Sequence, residues 1–295
     1  MNAPHAAAQT GGDALLASLS VVVVTYNSAH CIPALANALR ELPYVFIVDN
    51  ASSDNTLAEV ARLLPQARTV RHARNLGFGA ANNAALRQVA TPFALLLNPD
   101  CIATPDHVRA LMAVAMEQPE AAVIAPQLTD ASGAASVNYR WPHTLWDSRG
   151  PKAEGLCCVG FVCGAVMLLR VEPFQGTGYF DEHFFLYYED DDLCLRLFQA
   201  RKPLLVAPQV RIEHRSRGSS RGAAVLRGEY LRGFHHAQSK VKFSAKHLSL
   251  RTARAQRAQV LALALLSLPF RLLLPVPRYV ARLLGRIMGL VRVQI

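Results

Sequence analysis

The six cysteines (Cys31, Cys101, Cys157, Cys158, Cys163 and Cys194) form no C-x-x-C pair, and no histidine stands at zinc-ligand spacing from them. That excludes a thioredoxin-like redox motif and a zinc ribbon. Because they lie in apolar runs, buried free thiols in a reducing cytosol are expected. The first 17 residues hold no Lys or Arg and no long apolar run. This Ala/Gly-rich stretch reads as a frayed lead-in rather than a secretory signal. Residues 258–270 are apolar and uncharged, but Arg257 and Arg271 bracket only 13 positions, short of the roughly 20 needed to cross a bilayer. No internal repeat is visible. Acidic residues become scarce late in the chain: after residue 210 only Glu213 and Glu229 face 17 Lys and Arg, a net of +15, whereas residues 1–210 carry −5. This asymmetry points to a basic module docking on an anionic surface, membrane or nucleic acid.

What is present is a succession of short apolar runs alternating with helical patterns of about ten residues. Leu19 to Thr25, Tyr44 to Val48, Thr69 to His72, Phe93 to Leu97 and Ala121 to Ala125 read as strands, the β-branched ones buried on both faces of a sheet. The alternation predicts an α/β fold, Rossmann-like with a mostly parallel sheet flanked by helices. Ligands in such sheets gather beyond the carboxyl ends of the strands, where Asp49, Asn75 and Asp100 fall. Val159 to Arg170 reads as one glycine-containing strand, and Leu204 to Val206 and Val210 to Ile212 as two short ones. Thr104-Pro105 reads as a helix N-cap and first position. The most unusual stretch is Phe184-Phe-Leu-Tyr-Tyr-Glu-Asp-Asp-Asp192, an aromatic wall followed by four carboxylates. Apolar surroundings and like charges raise the pKa of the least solvated acid, as a general base or metal site requires. A plain acidic helix N-terminus is the alternative.

Thr25-Tyr26-Asn27, Val48-Asp49-Asn50-Ala51-Ser52-Ser53-Asp54, Arg74-Asn75-Leu76-Gly77-Phe78-Gly79, Leu97-Asn98-Pro99-Asp100, Gly164-Ala165 and Glu189-Asp190-Asp191-Asp192-Leu193 occur in this order. Together, over about Ser18 to Arg221, the chain resembles the family 2 inverting glycosyltransferases of GT-A fold, in their rhamnosyltransferase-like branch. The resemblance implies a nucleotide-diphosphate sugar donor held by Thr25, Tyr26, Asn27, Asp49, Asn50, Asn75, Gly77 and Asn98. Asp49 would read a uracil or thymine ring, the alternative being an Asx-turn. Asn98-Pro99-Asp100 stands where the family has D-x-D, so Asp100 is implied as a ligand of Mg²⁺ or Mn²⁺, with Asn98 offering a neutral oxygen. His214 either completes that metal or diphosphate site or is structural. Arg217, with Arg215 and Arg221, either clamps the diphosphate or forms a solvated loop. The pattern E-D-x-D implies Asp190 as catalytic base, Glu189 and Asp192 as acceptor or loop supports, and Asp191 at a variable position.

No Gly/Lys-rich triphosphate loop follows the first strand, which argues against a nucleotidyltransferase; a catalytically silent binding module of the same fold remains the other alternative. At 100° per residue Arg278, Arg282, Arg286 and Arg292 share one arc, with Leu283, Leu284, Ile287 and Leu290 opposite. That pattern suits an interfacial amphipathic helix or one packed on its own domain. The expected organisation is therefore a lead-in over 1–17, a GT-A domain over 18–221 and a helical region over 222–295 on a membrane surface. The expected partners are a dTDP- or UDP-sugar, a glycan or polyprenyl-linked acceptor and an anionic membrane on its cytoplasmic inner face, but no nucleic acid.

Overall fold

The computed structural model describes residues 15–141, 151–215, 225–273 and 276–295. The first 14 residues, the Pro142–Pro151 segment except Pro151 itself, and Arg217 and Arg221 lie outside the described residues.

The strands are β1 (Leu19–Thr25), β2 (Tyr44–Asp49), β3 (Arg68–Arg71), β4 (Phe93–Leu97), β5 (Cys101–Ile102), β6 (Val123–Thr129), β7 (Tyr139–Arg140), β8 (Cys157–Val159), β9 (Phe161–Val162), β10 (Val166–Arg170) and β11 (Leu204–His214). The helices are α1 (Ile32–Leu39), α2 (Thr56–Leu63), α3 (Phe78–Leu86), α4 (Pro105–Glu117), α5 (Phe174–Thr177), α6 (Glu189–Gln199), α7 (Val225–His247), α8 (Leu250–Leu272) and α9 (Pro277–Arg292). The main sheet runs β3-β2-β1-β4-β10-β6-β11-β5, with β8 also paired to β11. Its β3-β2-β1-β4 half is parallel as expected. The other half is mixed, because β10 enters antiparallel to both β4 and β6.

The Val-rich β1 is buried on both sides because each face carries its own core. Val21 and Val23 pack with Leu35, Leu39 and Met112 beneath the sheet. Val22 packs with Phe46, Leu96, Ala81 and Leu197 on the other face. The N-cap at Thr104 forms as expected, its hydroxyl accepting from the His107 N–H. Two expectations are corrected. The run from Val159 to Arg170 is not one strand: it breaks at Gly160 and again over residues 163–165 into β8, β9 and β10. Conversely, the two strands expected near 204–212 are the single β11, carrying an irregularity between Ala207 and Arg211. The cysteines are all free thiols, but Cys158 is exposed rather than buried.

The C-terminal helices pack on one another and on the sheet domain. Helix α9 lies against α7 through a seam of glycines. A Cβ at Gly285 would overlap the Tyr230 carbonyl, one at Gly289 the Phe234 carbonyl, and one at Gly233 the Arg282 carbonyl. Leu283 and Leu290, half of the apolar stripe expected to face lipid, are buried in this packing. No helix among the described residues is long and apolar enough to cross a membrane.

Candidate active site

The carboxyl ends of β1, β2 and β3 carry three loops stitched by side-chain amides. Asn27, in left-handed backbone, accepts from the Ser53 N–H at 2.7 Å. Asn50 is buried, donates to Asn75 Oδ1 at 2.9 Å and accepts from the Leu76 N–H at 2.9 Å. Asn75 in turn accepts from the Gly77 N–H at 2.9 Å. Gly77 has a φ of +93°, and a Cβ there would overlap the Phe185 carbonyl, so this position needs glycine twice over. The Phe78 N–H then donates to that same carbonyl at 3.0 Å. The loop before α3 is thus tied to the aromatic wall before α6, although more than 100 residues separate them.

Asp49 is fully buried. Its Oδ1 accepts from Thr25 Oγ1 at 3.2 Å and its Oδ2 from the Ser52 N–H at 3.1 Å. Both oxygens thus hold the turn after β2, and contact with a base would use a remaining lone pair. Tyr26 is exposed beside it.

Antiparallel pairing of β5 with β11 places Cys101 opposite His214. His214 Nε2 comes within 3.4 Å of Asp100 Oδ1, joining two residues 114 positions apart. Ligand atoms of Asp100, Cys101 and His214 all lie within 4.8 Å of one another. Cys101 suits a hard cation poorly. Its buried thiol points to the Ala165 carbonyl, and burial, then the charge of Asp100, hold it protonated well above its ordinary range. The carboxylate and imidazole that remain fit Mg²⁺ or Mn²⁺ completed by diphosphate oxygens. Arg215 is engaged with Glu213 at 2.7 Å.

Beside Asn98 opens a cavity of about 1100 Å³, walled by Phe78, Arg140, Gly164, Glu189, Asp190 and Asp191 and, from α7, by His236 and Lys240. The acids start α6 immediately after Tyr187 and Tyr188, both at φ +68°. Left-handed backbone costs on the order of 1–3 kcal/mol per residue and persists where surroundings impose it. Here α7 does so. The Tyr188 ring packs on His236 and Phe243, and Ser239 Oγ donates to the Leu186 carbonyl at 2.9 Å.

The three cavity acids differ by environment. Glu189 is held well above the usual carboxylate range, first by burial and then by the Asp190 charge, and its buried Oε2 has no hydrogen-bond partner among the described residues. Asp190 is raised to about 7 by burial and by Asp191, against the pull of the Gly164 N–H, which donates to its Oδ2 at 3.1 Å. Asp191 is raised by burial and pulled back by Arg140, whose Nη1 donates to it at 2.6 Å. Arg140 also stacks 4.0 Å over Phe161. Gly164 leaves room for Phe78, which a Cβ would crowd at 3.3 Å, beside Asp190.

Asp192 does not join them. It is fully buried and turned away, bound by Arg196 at 2.8 Å, Lys246 at 2.6 Å and His247 at 2.7 Å. Its place is that of a clamp between α6 and α7 rather than an acceptor support. Arg140, Lys240 and His236 were not foreseen: Arg140 sits in a pattern-poor stretch, and α7 lies past the expected domain boundary.

The family model for glycosyl transferase family 2 matches residues 20–177. The chain belongs to this family. Among relatives of this glycosyltransferase, an N-acetylglucosaminyl-diphospho-decaprenol L-rhamnosyltransferase of Mycobacterium tuberculosis is 27% identical over 231 residues, 66% of this chain and 75% of that one. The low-salt glycan biosynthesis hexosyltransferase Agl10 of Haloferax volcanii is 25% identical over 193 residues, 62% of each chain. Solved structures share the fold. The mannosyltransferase PcManGT from Pyrobaculum calidifontis, in complex with GDP-Man and Mn²⁺, has a TM-score of 0.54 at 18% identity, covering 97% of this chain and 96% of its own. S. aureus TarS 1-349 in complex with UDP-GlcNAc also gives 0.54 at 18% identity, covering 83% and 79%.

Proposed function

We propose that this glycosyltransferase moves a hexose, with rhamnose the first candidate, from a dTDP- or UDP-linked donor to a hydroxyl of a lipid-linked glycan, inverting the anomeric centre. The observation that carries this reading is Asp190. It sits in the cavity wall, raised to about 7 by burial and by Asp191, and its Oδ2 is oriented by the Gly164 N–H. A base so placed takes the acceptor hydroxyl's proton as that oxygen bonds to the anomeric carbon and the bond from that carbon to the diphosphate oxygen breaks. The nucleotide diphosphate leaves with the bonding electrons. Asp100 and His214 would hold the divalent cation, which supplies positive charge to the departing diphosphate. The loops carrying Thr25, Tyr26, Asn27, Asp49, Asn50, Asn75 and Gly77 form the nucleotide side of the site. Glu189, buried beside Asp190 in the same cavity wall, supports it. Lipid linkage is favoured by the name of the Mycobacterium relative and by exposed apolar residues on α8. Leu266 is 70% and Phe270 73% exposed, in a region of net +15, as a peripheral protein on an anionic inner leaflet requires.

The test is a panel of dTDP-, UDP- and GDP-sugars with Mg²⁺ or Mn²⁺ and a short-chain N-acetylglucosaminyl diphosphoryl lipid, with products read by mass spectrometry. Transfer from a dTDP- or UDP-sugar, lost in Asp190→Asn, is expected. Donor consumption without any glycosylated lipid would count against the acceptor. No turnover of any donor would count against the transferase reading.

A further inference from the structure

The catalytic cavity continues beyond the acids. His236, Lys240 and Gln256 line it and also line a second hollow, of about 330 Å³, between α7, α8 and α9. The two spaces therefore meet at a polar threshold. Beyond it the walls turn apolar, with Val241, Val260, Leu263, Leu283 and Leu290. The charged groups on these walls are Lys240, Arg271 and Arg286, and no Asp or Glu lines the hollow among the described residues.

The cations are crowded. Arg286 is held below its ordinary range by burial and by Arg282 and Arg271. His236 is pushed down to about 4 by burial and by Arg286, Lys240 and Arg282. Arg282 already faces the buried Glu229 at 3.9 Å; the rest of this half-buried cluster of like charges is unfavourable alone and is relieved by an anion. Arg and Lys together suit phosphate oxygens. Lys240 stands where the two spaces meet, and Arg271 and Arg286 stand inside the hollow among its apolar residues. Its far side reaches Leu263, 58% exposed, on the helix whose Leu266 and Phe270 face outward.

We propose that this hollow seats the carrier of the acceptor: Lys240 and Arg286 bind a diphosphate, and the first isoprenoid units lie over Val260, Leu263 and Leu290. This proposal rests on the lipid-linked acceptor reading above and adds the place where the lipid binds. A polar sugar joined through a diphosphate to an apolar chain suits a polar cavity that opens past Lys240 into a hollow lined by arginines and apolar side chains. A glycerophospholipid would put its chains in the hollow but leave the catalytic cavity without a substrate.

The probe is farnesyl diphosphate, with inorganic pyrophosphate and farnesol as its two halves, titrated calorimetrically into the full-length protein. Farnesyl diphosphate should bind at least tenfold tighter than either half. Lys240→Gln combined with Arg286→Gln should weaken it tenfold or more, while UDP and dTDP affinities with Mn²⁺ stay at parent values. Leu263→Gln, a substitution at a largely exposed position, should weaken farnesyl diphosphate and leave pyrophosphate unchanged. Displacement of farnesyl diphosphate by UDP or dTDP would overturn the proposal, placing it in the donor site. So would parental affinity in the double variant, or pyrophosphate binding as tightly as farnesyl diphosphate. Transfer to a short soluble acceptor is measured alongside: if it persists while the prenyl probe fails, the hollow is refuted and the transferase reading is not.

Discussion

Asp190 and Asp191 differ by one position, and the pH dependence of turnover should separate them. With Asp190 at about 7, a base that must be ionised is about one-tenth active at pH 6 and about nine-tenths at pH 8, so kcat/KM should climb roughly tenfold across that interval. Burial is the larger cause of the shift and Asp191 the second. Asp191→Asn removes the second and frees the Arg140 guanidinium, now bound to Asp191 at 2.6 Å, to act on Asp190 instead. Both changes favour the carboxylate. Unit charges some 6 Å apart at an effective dielectric of about 20 interact by roughly 2.8 kcal/mol. Solvent at the cavity mouth reduces this, and an acidward movement of the limb by about one pH unit is expected. Asp190→Asn should abolish the limb and lower the plateau by about 10²–10⁴. The same shift enters stability with a definite sign. The folded chain holds this proton more tightly than the unfolded one. The stabilisation is therefore full below the ordinary carboxylate range and lost as pH rises through about 7. Asp190→Asn should thus raise Tm relative to the parent at pH 8 and not at pH 4. A limb that stays put or moves to higher pH in Asp191→Asn would refute the electrostatic reasoning, and an intact limb in Asp190→Asn would remove Asp190 from the chemistry.

Asp100→Ala should weaken nucleotide-sugar binding in the presence of Mn²⁺ and leave an affinity nearly independent of the metal; calorimetry with and without chelator reads this directly. Asp192→Ala would remove the buried carboxylate shared by Arg196, Lys246 and His247 and leave a gap there. Breaking such a buried pair costs about 3–5 kcal/mol, visible in denaturant unfolding, whereas an acceptor role would change KM and spare stability. Gly285→Val should push α9 from α7, because the added Cβ meets the Tyr230 carbonyl. Overpacking of this kind costs about 1–3 kcal/mol, and the loss should appear in Tm and in kcat together.

The parallel half of the sheet was legible because its signal is local. Leu19–Thr25 and Phe93–Leu97 are short apolar runs flanked by turn residues, and both strands form with those bounds. The loops at their ends were legible as a set because Asn, Gly and Asp there have no apolar surface to bury. What escaped depended on long-range pairing. The insertion of β10 between β4 and β6 leaves no periodic mark, since a strand buried on both faces reads alike whichever direction it runs. The approach of His214 to Asp100 is a register fact of β5 and β11. Asp192 and its three neighbours in the acid run share one composition, and only the helical turn decides that it faces α7 while Asp190 faces the cavity.

The C-terminal region shows why an amphipathic pattern alone underdetermines its partner. Arginines opposite leucines along 278–292 fit a lipid surface and a helix seam equally, because both reward one apolar face. The discriminating residues are Gly285 and Gly289, four apart, which let α9 approach the α7 backbone through a seam that includes Gly233. A lipid surface has no use for such close approach. Helix α7, held from behind by α9, then holds Leu186, Tyr187 and Tyr188 from the front, and those two tyrosines carry the left-handed backbone on which the acids are set. The basic region is thus continuous with the active site. The outward leucines and Phe270 of α8, by contrast, have no seam to fill among the described residues.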